Sequence, residues 1–171
     1  GAAHVAAAAQ RPNAITLDMG GTSADAALIR QARIPTVFSR EVGGFPIRMP
    51  MVDVETVGAG GGSVAWVDRD GLLKVGPKST GADPGPACYG LGGTQPTVTD
   101  ANLILGRLSE DGLLAGTMKL DKAAATSALD TLAQSLDVSL LRAAQGVIDI
   151  VVANMVRAIR TISVERGHDP R

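Results

Sequence analysis

Residues 18–29, DMGGTSADAALI, set two carboxylates on either side of a turn with almost no side chains. Backbone N–H groups in such a turn can bind phosphate oxygens, and glycine lets the ligand approach the chain closely. A carboxylate at the strand end can orient a metal-bound water, and a threonine hydroxyl can bond a phosphate oxygen. Asp18, Gly20, Gly21, Thr22 and Asp25 supply those parts. The structural alternative is an ordinary hairpin whose turn contains Gly-Gly, and for Asp25 a local bond to its own backbone. The stretch is not a Walker loop, because no Gly-Lys-Ser/Thr follows.

A second glycine cluster, TVGAGGGSVAW at 56–66, offers Gly60, Gly61, Gly62 and Ser63. It can be read as another anion-binding nest or as a bulged strand turn. Asp53 and Glu55 lie two apart, so on one strand they share a face. With Cys88 they could make a mixed site for a divalent metal such as zinc. Surface acids and a small buried thiol are the competing reading. His4 lies in the opening stretch, and His168 follows the last helix, where capping carbonyls is a sufficient role. Asp100 reads as negative charge at a helix N-terminus.

These residues need elements to hold them. AITLD (14–18), DAALI (25–29) and IPTVF (34–38) read as three strands of an antiparallel meander, with MGGTSA joining the first two. Residues 40–98 are dense in Gly and Pro, with strands expected at 51–57, 63–68 and 72–76, the last two joined by the DRDG turn. From residue 99 the periodicity is helical. Thr99 is expected to cap a short helix, Asp121 a second, and a long third helix is expected over 139–166. Leu141, Ala144, Ile148, Val151, Met155, Ile159 and Ile162 would form its apolar stripe, widened by Val147 and Val152, with Gly167 as its C-terminal stop.

Composition narrows the classes. The chain has 171 residues, formal net charge −1 and 45% apolar residues, which suits one folded domain and offers no basic face for nucleic acid. Four aromatic residues, Phe38, Phe45, Trp66 and Tyr89, supply few stacking platforms for single strands. A lone cysteine excludes an internal disulfide and favours the cytoplasm. No apolar run is long enough to span a bilayer, and the opening alanines do not read as a signal peptide. The ends read as those of a piece of a longer protein.

LDMGGTSADAALI resembles the second phosphate loop of the actin, sugar-kinase and heat-shock ATPase superfamily. VDVETVGAGGGSVAWVD, GLLKVGPKSTGADPGPACYGLGGTQPTVTDANLILGRL and ISVERGHDP are similar to the hydantoinase/oxoprolinase family, over nearly all of residues 1–171. The resemblance implies an α/β fold, a partial ribonuclease-H-like lobe. It would have an antiparallel hairpin core (1–39), a glycine-rich β insertion (40–98) and packed helices (99–171). It implies ATP and Mg2+ as cofactors, Asp18 orienting magnesium-bound or attacking water, and Gly20, Gly21 and Thr22 contacting the β- and γ-phosphates. The implied activity is opening of a cyclic amide, a hydantoin or 5-oxoproline, through phosphorylation of the amide oxygen. The alternatives are a ketone carboxylase subunit and a non-catalytic nucleotide-binding module. Implied partners are the remainder of the polypeptide, with its first phosphate loop, and a hydantoinase B-type subunit or domain.

Overall fold

The structure is a computed structural model that describes residues 1–111 and 116–169. It divides into two compact units: Gly1–Asp18, Asp25–Thr56 and Val156–Arg171 form the first, and Met19–Ala24 with Val57–Met155 the second. Each unit draws on distant stretches of chain, so the boundaries do not follow the composition changes near residues 39 and 98.

The first unit opens with helix α1 (Ala2–Ala8). Most of one three-stranded sheet lies here, in the order β1 (Ala14–Met19), β2 (Ala24–Ile29), β7 (Val54–Val57). The expected meander is therefore only half present. Strands β1 and β2 neighbour each other, but the third position belongs to β7. IPTVF contributes only β3 (Thr36–Val37), which pairs antiparallel with β6 (Met51–Val52). Two local features divert the chain. Gln31 and Ala32 adopt left-handed φ of 48° and 59°, closing a tight Arg30–Arg33 turn. Pro35 then offers no N–H to a ladder, while its carbonyl accepts from Asp53 at 3.1 Å. The strand expected over 51–57 is split at Asp53 into β6 and β7. A hairpin the sequence reading passed over, β4 (Arg40–Val42) with β5 (Phe45–Ile47), turns at Gly43-Gly44, both at positive φ.

The second unit holds the larger core. Strands β8 (Ser63–Val67) and β9 (Leu73–Ser79) form the expected hairpin. Asp68 closes it, accepting from the N–H groups of Asp70 (3.0 Å) and Leu72 (2.9 Å). The Leu72 N–H leads the causes that hold the Asp68 carboxyl below its usual range, with the Asp70 N–H and Lys74 adding to it. Helices α2 (Val98–Ile104), α3 (Lys122–Leu136) and the first part of α4 (Leu140–Ile162) supply Val98, Leu129, Leu132, Val147 and Val151 to a core shared with Ala65 and Val75.

Asp121 caps α3, as expected, accepting from the Ala124 N–H at 2.9 Å. The α2 cap is Thr97, not Thr99, because Thr97 and Asp100 have the spacing of a reciprocal capping box. Helix α4 stops at Ile162, and a separate 3-10 turn, Val164–Arg166, ends at Gly167 in the left-handed region. Its stripe is narrower than expected: Val147 is fully buried, while Leu141 and Val152 are 60% and 50% exposed. No helix among the described residues is long and apolar enough to cross a membrane.

Candidate functional site

The turn between β1 and β2 belongs, from Met19 to Ala24, to the second unit. It is closed by one bond, the Gly20 N–H to the Ser23 carbonyl at 2.8 Å. Gly21 and Thr22 are exposed, and among the described residues neither backbone N–H donates to a protein acceptor. A Cβ added at Gly21 would meet nothing within 4 Å, and one at Gly20 only the Ser23 carbonyl at 3.6 Å. Neither glycine has a positive φ. The fold does not itself demand glycine at these positions.

The second glycine cluster lies directly behind this turn. Gly61 N–H donates to the Gly20 carbonyl at 3.0 Å, and Gly62 N–H to the Gly21 carbonyl at 2.6 Å. A Cβ at Gly60 would lie 2.5 Å from the Thr22 nitrogen and 2.6 Å from the Gly21 carbonyl carbon, so here glycine is required by backbone packing. The strip is anchored in turn. The Gly61 carbonyl accepts from both the N–H and the hydroxyl of Thr99, each at 2.9 Å. The Gly62 carbonyl accepts from the Thr80 N–H (2.9 Å) and hydroxyl (3.3 Å). Thr99 sits in the first turn of α2, so the helix start holds the glycine strip and the strip holds the Gly20–Thr22 turn.

Residues 60–63, expected as an anion nest or a bulged strand turn, spend their backbone donors inside the protein. Gly60 N–H donates to Ser63 Oγ (2.8 Å), Ser63 N–H to the Gly60 carbonyl (3.1 Å), and the Gly61 and Gly62 donors serve the turn. All four backbone donors are engaged within the protein. Ser63, fully buried, bonds backbone on both sides.

Asp18 is exposed at the end of β1. Asp25 bonds a side chain rather than its own backbone, accepting from the Thr56 hydroxyl at 2.6 Å. The three residues weighed as metal ligands are each engaged elsewhere. Asp53 is buried and pairs with Arg166, and Glu55 pairs with Arg40 at 3.3 Å. Cys88 is fully buried, and its N–H donates to Asp100 at 2.8 Å. Burial, and then the Asp100 carboxylate, push the thiol pKa far up, so the free thiol stays protonated at neutral pH and is a poor nucleophile. Among the described residues no group of three or more His, Cys, Asp or Glu side chains is placed to hold a metal ion. His168 N–H caps the Ser163 carbonyl at 2.9 Å, and the residue lines a cavity of about 370 Å3 in the first unit with Asn13, Leu28 and Asp169.

Three residues given no site role by the sequence hold this arrangement: Thr99 and Thr80 anchor the glycine strip, and Ser79 Oγ lies 3.3 Å from Thr22 Oγ1. The polar KST run at 78–80, following Gly76-Pro77, is the sequence signal for the last two.

A sequence profile described as Hydantoinase/oxoprolinase matches residues 1–171. The chain belongs to the hydantoinase/oxoprolinase family. It is 51% identical to the caprolactamase subunit alpha of Pseudomonas jessenii over 93% of this chain and 23% of that one. It is 42% identical to the acetophenone carboxylase gamma subunit of Aromatoleum aromaticum, over 92% of this chain and 22% of that one. The 5-oxoprolinase of Saccharomyces cerevisiae is 36% identical over 90% of this chain and 13% of its own length. Among solved structures, nucleotide-free acetone carboxylase superposes with a TM-score of 0.91 at 30% identity, over 99% of this chain and 24% of that one. The ATP-dependent caprolactamase of Pseudomonas jessenii superposes with a TM-score of 0.89 at 48% identity, over 99% and 25%. This hydantoinase/oxoprolinase segment therefore has the expected α/β architecture, a partial actin-like ATPase lobe. It spans about a quarter of the length of the first relatives it matches.

Proposed function

We propose that residues 18–25 form one wall of an ATP site in an enzyme that opens a cyclic amide at the expense of ATP. The observation that carries this is the exposed Gly20–Thr22 turn: two unengaged N–H groups, a hydroxyl, and glycines that the fold does not itself require. In this reading the Gly21 and Thr22 N–H groups and the Thr22 hydroxyl bind phosphate oxygens. Asp18, the exposed carboxylate preceding the turn, orients Mg2+ or a water. Asp25, held by Thr56, keeps the start of β2 in place. The Gly60–Ser63 strip acts as a buttress that fixes the turn and leaves its outward donors for the ligand. Bound ATP would supply the phosphoryl group that activates the amide.

Relatives named for caprolactam and 5-oxoproline favour the cyclic-amide class. Relatives named as alpha and gamma subunits favour a partner subunit, for which a B-type chain is the choice. A cytoplasmic site accompanies this reading. The second reading, ATP-driven carboxylation of a ketone, is favoured by the likeness to acetone and acetophenone carboxylases. ATP turnover by the full-length protein with its partner separates the two. Stimulation by 5-oxoproline, hydantoin or caprolactam supports the first, and stimulation by a ketone with bicarbonate the second.

A further inference from the structure

Ser79 has no role in the reading above, yet it touches the turn. It is the last residue of β9, opposite Ser63 in the hairpin register. The Gly81 N–H donates to its Oγ at 3.1 Å, and its Oγ lies 3.3 Å from Thr22 Oγ1. Gly62 leaves room for this approach, since a Cβ there would come within 3.0 Å of Ser79 Oγ. Next to it, the paired Thr80 bonds to the Gly62 carbonyl pin the strand end.

We propose that Ser79 is a positioning residue for Thr22, and that Gly81 N–H, Ser79 hydroxyl and Thr22 hydroxyl form a one-way relay that aims the Thr22 proton at a phosphate oxygen. The inference rests on the reading of Gly20–Thr22 as a phosphate turn. Its direction follows from what each group can do. A backbone N–H only donates, so at Gly81 the Ser79 oxygen accepts and keeps its own proton for another partner. A phosphate oxygen ionised at neutral pH only accepts, so Thr22 must donate outward to it. The Thr22 oxygen is then left to accept from Ser79. Both ends of the chain are fixed, one by a group that cannot accept and one by a group that cannot donate. Hydrogen bonds in such a series polarise one another, which makes the Thr22 hydroxyl a better donor than it would be alone. The 3.3 Å separation is loose for two hydroxyls, and contacts of this kind tighten when the ligand arrives.

The test is calorimetric titration of Mg–ATP into the full-length protein and its variants, with melting temperatures recorded alongside. Thr22→Ala should weaken binding by about tenfold or more, as for a lost hydrogen bond to a charged group, and Ser79→Ala by about three- to tenfold. The double variant should bind within about twofold of Thr22→Ala alone, because Ser79 acts only through Thr22. Ser79→Thr should recover affinity to within about twofold of wild type, and Ser79→Cys, a weak donor of similar size, should fall between Ser79→Ala and wild type. Unchanged affinity in Ser79→Ala, or an equal loss in wild-type and Thr22→Ala backgrounds, would overturn the relay while leaving the phosphate turn standing. If wild type binds no Mg–ATP, or Thr22→Ala binds as wild type does, the phosphate-turn reading fails and the relay with it.

Discussion

Gly21 and Gly60 are the same residue type, a few ångströms apart, and packing requires glycine at only one of them. At Gly60 an added Cβ would strike the backbone of Gly21 and Thr22. Gly60→Ala should therefore lower stability by about 1–3 kcal/mol, as overpacking does, read as a shift in the urea midpoint. At Gly21 a Cβ meets open space, so Gly21→Ala should hold stability within about 0.5 kcal/mol of wild type. The glycine motif was legible in the sequence, but which glycine the backbone packing requires was not. That distinction depends on chain more than thirty residues away. Cys88 makes a second residue-scale prediction. Its pKa is raised in the folded state, so above about pH 8.5 the unfolded thiol ionises while the folded one stays protonated. The stability of wild type should fall more steeply between pH 8 and 10 than that of Cys88→Ala, and the native thiol should resist alkylation until the protein unfolds. Parallel pH profiles for the two proteins would contradict this.

At the scale of elements, the start of α2 anchors the glycine strip. Asp100 is fully buried and accepts from Cys88 N–H (2.8 Å), Thr97 N–H (2.9 Å), Thr97 hydroxyl (2.7 Å) and, more loosely, Ala87 N–H (3.3 Å). Removing it strands buried donors as well as half a capping box. Asp100→Ala should cost about 2–4 kcal/mol, measured by denaturant unfolding, and a loss under about 1 kcal/mol would contradict this account. The sequence places Asp100 at a helix start and favours Thr99 as the cap, but Thr97 takes that position and Thr99 faces the glycine strip. The β8–β9 hairpin and α3 were legible because the Asp68 turn and the Asp121 cap are local signals. The fate of IPTVF was not, because Pro35 removed a ladder donor and the empty sheet position went to β7, a strand far along the chain.

For the whole molecule, the chain spans about a quarter of the first relatives it matches, and the two-lobed cleft implied by the family resemblance needs an opposing phosphate loop. Residues 1–171 alone should therefore show no ATP turnover, since half a cleft neither completes the phosphate contacts nor excludes water. Sustained turnover by the isolated segment would contradict that. The central claim, that the Gly20–Thr22 turn is shaped for phosphate and not for the fold, is tested most directly by one paired measurement on the full-length protein. Wild type and Gly21→Ala are compared for Mg–ATP affinity and for melting temperature. The account predicts equal melting temperatures and at least about tenfold weaker binding in Gly21→Ala, because the methyl group occupies the approach to the turn donors. Equal affinity in the two proteins would contradict it.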